Sequence, residues 1–236
     1  MQRVWHKEEA MEKEFNELTV RELYGYPEHS IASPLLFSRT YPWEILDGLS
    51  DYIRELGKTL SEEDYEKREG DVYISRSAKV APTAYIGGPC IICEGAEVRH
   101  CAYIRGSAIV GAGAVVGNSV ELKNCVLFDG VQVPHFNYVG DSVLGYKSHM
   151  GAGAVTSNVK SDKTLVCVSV GGERVETGRK KFGAMLGDFV EVGCNSVLNP
   201  GTVIGSNSNV YPLSSVRGHV PKNSIYKGRD NIVNKR

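Results

Sequence analysis

From Ile74 an apolar residue recurs at every sixth position: Ile74, Val80, Ile86, Ile92, Val98, Ile104, Val110, Val116, Leu122 and Phe128. The fourth residue after each is small for a long run: Ala78, Ala84, Cys90, Ala96, Ala102, Ala108 and Ala114. The spacing then alternates between five and six through Val133, Val139, Leu144 and Met150. Six returns at Leu186, Val192, Leu198, Ile204, Val210 and Val216, whose small slots hold Val190, Ser196, Thr202, Ser208 and Ser214. A period of six is not a multiple of the α-helical turn. It suits a short strand followed by a corner, and three such units, about 18 residues, make one triangular coil that buries its aliphatic slots only by stacking on the next. The pattern predicts an all-β chain, a left-handed parallel β-helix of hexapeptide repeats over residues 71–236.

Two stretches depart from the repeat. Residues 1–70 read as a helical N-terminal appendage. Thr19 and Glu22 have the spacing of a capping box. Pro42 opens a stripe of Trp43, Leu46, Leu49, Ile53 and Leu56 that Gly57 closes, and Ser61 is placed to cap a further short helix. About 70 residues with few large apolar side chains make a thin core alone, so this segment is expected to pack on the β-helix. Residues of about 160–185 interrupt the hexads. Val166–Val170, Gly171-Gly172 and a second run through Val175 predict an inserted β-hairpin. The basic run Arg179-Lys180-Lys181 that follows is either a solvated loop or an arm that contacts a phosphorylated ligand or a neighbouring subunit.

Lys and Arg number 27 against 28 Asp and Glu, a formal charge of −1, which offers nothing to a nucleic acid or an anionic membrane. No apolar run approaches the ~18 residues of a membrane span, and the opening MQRVWHKEEAMEKEF alternates charged with apolar residues. A cytoplasmic location is expected. Six cysteines without a secretion signal are expected to stay reduced. Cys90 and Cys93 form a lone CxxC in which Cys90 occupies a small slot, so packing accounts for the pair better than metal binding.

Arg105 and Lys123 each follow an apolar slot and lie one coil apart. They should stack on one edge about 4.8 Å apart. Two stacked cations repel unless an anion joins them, and Gly87 one coil below leaves room for one. The pair reads as a phosphate clamp, or as solvated charges splaying apart. His135 lies in VPHFNYVGD, where the rhythm slips, with Tyr138 nearby and His149 fourteen residues on. His100 and His135 have a spacing usable by two zinc ligands, but the stretch from Phe136 to Gly140 holds no third histidine, so no metal is expected.

At these residues the chain resembles the acetyltransferase domain of the bifunctional N-acetylglucosamine-1-phosphate uridyltransferase / glucosamine-1-phosphate acetyltransferases. The YPWEIL segment, the hairpin and the stretch GRKKFGAMLGD look closer to the archaeal-type sugar-phosphate nucleotidyltransferase/acetyltransferase branch. The likeness covers about residues 72–230 and is most specific between Arg105 and Asn158. It implies acetyl-CoA-dependent N-acetylation of an amino sugar phosphate such as glucosamine-1-phosphate, a step toward UDP-N-acetylglucosamine. It implies His135 as the catalytic base, and Arg105, Lys123, Tyr138, His149 and Asn158 as substrate contacts. Ala152 of the Gly151-Ala152-Gly153 turn, Cys194, Pro212 and Arg229 fall at positions that hold the acyl carrier, and no metal is required. Three positions depart from the bacterial pattern: His149 stands for an asparagine, Val159 for a tyrosine and Cys194 for a serine.

Only about 70 residues precede the repeats, with no Gly-rich nucleotide-phosphate loop, so nucleotidyltransferase activity is not expected. One side of the triangle spans about 17–20 Å, while a lysine side chain reaches about 6 Å. His135 and Lys123 therefore cannot grip one small sugar phosphate within a subunit, and a homotrimer with sites between subunits is expected. The competing reading is a non-catalytic β-helix that binds a sugar nucleotide in a regulatory or scaffolding role.

Overall fold

A computed structural model describes residues 15–235. From residue 72 the chain winds as stacked coils that visit three faces in turn. The first coil runs from Val72–Ser75 on face one to Lys79–Val80 on face two and Tyr85–Ile86 on face three. It then climbs to Cys90–Ile92, again on face one. Strands of successive coils pair in parallel, with Ile74 beside Ile92, Val80 beside Val98 and Ile86 beside Ile104. The hexad residues Ile92, Val98, Ile104, Val110, Val116 and Leu122 are all buried inside the coil. The fold is a β-solenoid of stacked parallel coils, as the period of six requires.

The register corrects one slot. Leu127, not Phe128, pairs with Val110. Phe128 is still fully buried, but its ring stacks on Tyr24 of the N-terminal segment at 5.2 Å. The coils here shorten to seventeen residues, with Val116 beside Val133 and Leu122 beside Val139. One coil further the inner slot is taken by Thr156, whose hydroxyl accepts the Gly140 N–H at 2.9 Å. A polar residue in that slot is why an apolar count stops at Met150.

The interruption after residue 158 is a hairpin of Val166–Val170 and Glu173–Arg179. The insert closes on itself where it began, the Phe182 N–H donating to Asn158 O at 3.0 Å. Register then resumes across it, with Leu144 beside Leu186 and Met150 beside Val192. Of the basic run, Arg179 is neither a solvated residue nor an extended arm. Its guanidinium pairs with Asp47 at 2.8 Å and is nearly buried.

Residues 15–60 form short helices, chiefly Val20–Leu23, Ser33–Leu36, Pro42–Ile45 and Leu49–Gly57, and residues 1–14 of the expected N-terminal appendage lie outside the described residues. These helices cover face one. There the outward residues Tyr73, Ile91, Ile109, Val126, Val143 and Met185 form one apolar column, all buried. A sheet buried on both sides reads as continuous apolar runs rather than alternation, and CII, AIV, CVL and AML are such runs.

Local details differ from the sequence expectations. Thr19 makes no side-chain cap, because its hydroxyl donates to Asn16 O. The cap belongs to Glu44, whose carboxylate accepts the N–H groups of Thr40 and Tyr41 at 3.0 and 2.9 Å. Gly57 does close its helix, as its last residue, and glycine is needed there because a Cβ would meet the Tyr73 ring at 2.1 Å. Ser61 caps a turn, not a helix, and leads into the strand Tyr65–Arg68, which pairs antiparallel with Val72–Ser75 inside the stretch read as helical. Cys90 and Cys93 are buried, and burial pushes the Cys93 thiol up to about 12.

Trp43 anchors the segment, buried against Tyr41 at 4.6 Å and Phe182 at 5.4 Å. Trp43→Ala should lower stability by about 3–5 kcal/mol, the usual result of emptying an aromatic site, measured by urea unfolding.

Candidate active site

Face three carries an outward column of Tyr85, Tyr103, Glu121, Tyr138, Val155 and Val197. Two residues further along each strand, where the chain turns toward face one, stand Arg105 and Lys123 in adjacent coils. Both have acidic partners, although Arg105 remains exposed while Lys123 is largely covered. The Arg105 guanidinium donates to Glu121 Oε1 at 2.8 Å. Lys123 Nζ lies 3.0 and 3.1 Å from the two carboxylate oxygens of Asp141. Each cation is thus already answered by an acid one coil above.

Asp141 gathers the other groups at this corner. Its carboxylate also accepts Asn124 Nδ2 at 2.8 Å and Asn158 Nδ2 at 2.6 Å. The Asn158 amide donates as well to Tyr138 Oη at 3.1 Å. Lys123, Asn124 and Asn158 therefore converge on one carboxylate, Tyr138 is tied to it through Asn158, and Arg105 and Glu121 stand beside them. Burial first, then the charges of Asp141 and Glu121, push the Tyr138 phenol up. The Tyr138 ring reaches the corner by lying across its own strand, and a Cβ on Gly140 would come within 2.3 Å of its hydroxyl.

His135 stands at the opposite edge of face three, exposed, at the end of the strand Gln132–His135. Asn137 fixes the bend after it. The Asn137 Oδ1 accepts the His135 N–H at 3.1 Å, and Nδ2 donates to Gly151 O and Ala154 O at 2.8 and 3.0 Å. From His135 one edge runs up the prism through backbone bonds, Gly153 N–H to His135 O, Asn195 N–H to Ala152 O and Leu213 N–H to Cys194 O, each 2.9–3.0 Å. Ala152, Cys194 and Pro212 share this row. At its upper end Pro212 and Arg229 line a groove of about 690 Å³ with Ser169 of the hairpin, Arg217 and Lys227. Three cations facing one groove suit an anionic, phosphate-bearing ligand.

His149 does not join the Asp141 corner. It opens the two-residue strand His149–Met150 on face two, its Nδ1 2.7 Å from Glu191 Oε2. The sequence did not single out Glu121, Asn137 or Asp141. Glu121 stacks beneath Tyr138 across a coil of seventeen residues, off the strict period of eighteen. Among the described residues no three His, Cys, Asp or Glu side chains gather as metal ligands, and no helix is long and apolar enough to cross a membrane.

The coil stack is a β-helix domain, and its residues 87–183 match the GMPPB C-terminal domain family. The chain belongs with the C-terminal domains of GMPPB/GlmU type. It is 35% identical over 192 residues to the bifunctional sugar-1-phosphate nucleotidylyltransferase/acetyltransferase of Sulfurisphaera tokodaii, a match to 79% of this chain and 47% of that protein. It is 31% identical over 195 residues to the bifunctional protein GlmU of Methanococcus maripaludis, covering 82% and 47%. The chain thus spans about half the length of the curated relatives it matches. The acetyltransferase domain of PglB from Neisseria gonorrhoeae, solved with acetyl coenzyme A, is similar at TM-score 0.33 and 18% identity over 70% of this chain and 58% of that one.

Gly140→Ala should push the Tyr138 ring off Asn158 at about 1–3 kcal/mol of stability. A crystal structure of the variant with the Tyr138–Asn158 bond retained would contradict this.

Proposed function

We propose that the chain is an acetyl-CoA-dependent N-acetyltransferase acting on an amino sugar phosphate such as glucosamine-1-phosphate. The observation that carries this reading is the single row from His135 through Ala152, Cys194 and Pro212 into the cation-lined groove. Its three coil steps span about 14 Å at the usual strand spacing, the reach of an extended thioester arm whose phosphates would lie by Arg217, Lys227 and Arg229.

In this reading Arg105 and Lys123 hold the sugar phosphate. The sugar's amine attacks the thioester carbonyl, the C–S bond breaks, and coenzyme A leaves as the thiol. His135 takes the proton from the amine and returns it to the departing sulfur, a task suited to an imidazole near neutral pH. The tetrahedral oxyanion needs a fixed N–H donor. Gly151, Gly153 and Ala154 spend theirs on carbonyls, which leaves Ala152 for it within this turn. The thioester is already activated, so the step calls on no metal.

His135 and the Lys123 corner lie on opposite edges of face three, and one small substrate cannot reach both within a subunit. A ring of three subunits would bring one prism's His135 edge against the next prism's Lys123 edge. The exposed side chains of Tyr85 and Tyr103 on face three, 5.5 Å apart, are apolar surface of the kind such an interface covers.

His135→Ala should lower acetyl transfer about 10²–10⁴-fold, read as thiol release from acetyl-CoA with glucosamine-1-phosphate, and full activity would refute the role. Lys123→Ala should raise KM for the sugar phosphate far more than KM for acetyl-CoA. Refolding the two impaired variants together should restore part of the activity at low sugar-phosphate concentration, since some mixed trimers hold one intact site. A monomer by light scattering would remove the shared-site arrangement. Binding of a sugar nucleotide with no turnover in the unaltered protein would establish the non-catalytic reading instead.

A further inference from the structure

The Asp141 carboxylate is 2% exposed at its side chain, and four hydrogen bonds from three side chains end on it. A carboxylate offers about four lone-pair sites, so Asp141 is saturated and fixed. It sits where the backbone turns with φ +50°, a left-handed conformation that Asp and Asn tolerate better than other side chains. Its own carbonyl accepts the Gly183 N–H at 2.9 Å, which ties the returning end of the insert to the same point. A buried carboxylate is costly unless fully paired, and here its partners are Lys123, Asn124, Asn158 and, through Asn158, Tyr138. Being enclosed, it cannot touch a ligand at this corner.

We propose that Asp141 is the positioning residue of the substrate corner, holding the Lys123 ammonium and the Asn158–Tyr138 pair in one fixed arrangement and restraining the charge that Lys123 presents to a phosphate. The proposal deepens the acetyltransferase reading and rests on it for the identity of the ligand. An ammonium has three N–H donors. Asp141 takes up to two of them, so Lys123 offers a phosphate one directed hydrogen bond rather than a free charge, and Arg105 supplies the rest. The corner therefore selects by direction as well as by charge.

Asp141→Asn keeps the size and the backbone conformation and removes the charge. With glucosamine-1-phosphate and acetyl-CoA, it should raise KM for the sugar phosphate about tenfold to hundredfold, the scale of one charge-assisted hydrogen bond, and leave KM for acetyl-CoA within about twofold. The Tyr138 phenol, which Asp141 helps push up, should titrate at lower pH in the variant, followed by NMR of ring-labelled tyrosine with Tyr138→Phe to assign the signal. Asn124→Gly carries the test if Asp141→Asn does not fold. Glycine suits the φ of +50° at that position, and the change removes one of the bonds that hold Asp141, so a smaller effect in the same direction is expected. An unmoved Tyr138 titration, or a loss confined to kcat, overturns the proposal. If the unaltered protein acetylates no hexosamine phosphate, the proposed reaction fails, while the titration still decides the role of Asp141.

Discussion

No coil of this protein can be stable by itself. Each encloses too little apolar volume, and its backbone groups find partners only in the coils above and below. Stacking solves both problems at once, and everything else follows from its two requirements: an aliphatic residue inside at each strand and a register that never breaks. The outer surface is then a grid with one strand step along one axis and one residue along the other. Arg105 and Lys123 share a column of that grid, and His135, Ala152, Cys194 and Pro212 share another.

The site sits where the winding is least regular. Below Ile104 the coils keep eighteen residues, with Ile86 beside Ile104. Through the candidate site they keep seventeen, with Leu122 beside Val139. Positive φ falls on Asn124, Phe136 and Asp141 here, as it does at corners throughout the stack, Cys101, Ser107, Asn195 and Asn207 among them. What sets this corner apart is not the turn but the polar side chains of Asn124 and Asp141 placed on it, which meet each other and, at Asp141, Lys123.

This division explains what could be read from the chain. The aliphatic period is a one-dimensional signal, so the solenoid, its insert and the stacking of Arg105 under Lys123 were all open to counting. Phe128 was placed one position wrong because both Leu127 and Phe128 are apolar, and only packing against Tyr24 separates them. Thr156 was missed as an inner residue because its hydroxyl finds the Gly140 N–H, a bond that no count reveals. Asp141 was illegible for a deeper reason. Its meaning comes from three side chains that start on strands one coil above and below it, and convergence of that kind exists only after the coils are wound. The cover of face one was legible in principle in the doubly apolar runs, but a repeat tuned to the inner slot passes over the outer one.

The insert returns to its own starting point, since Phe182 bonds back to Asn158 while Leu144 still meets Leu186. Closing a longer loop there costs little extra, because the entropy of closure grows only with the logarithm of its length. The root of the hairpin is nevertheless part of the wall: Val166, Val168 and Val170 are buried, and Gly201 and Gly218 leave room for the carbonyls of Cys167 and Ser169. Only the exposed tip around Gly171 and Gly172 stands clear, so divergence at this corner is free in the eaves and constrained where they meet the ladder.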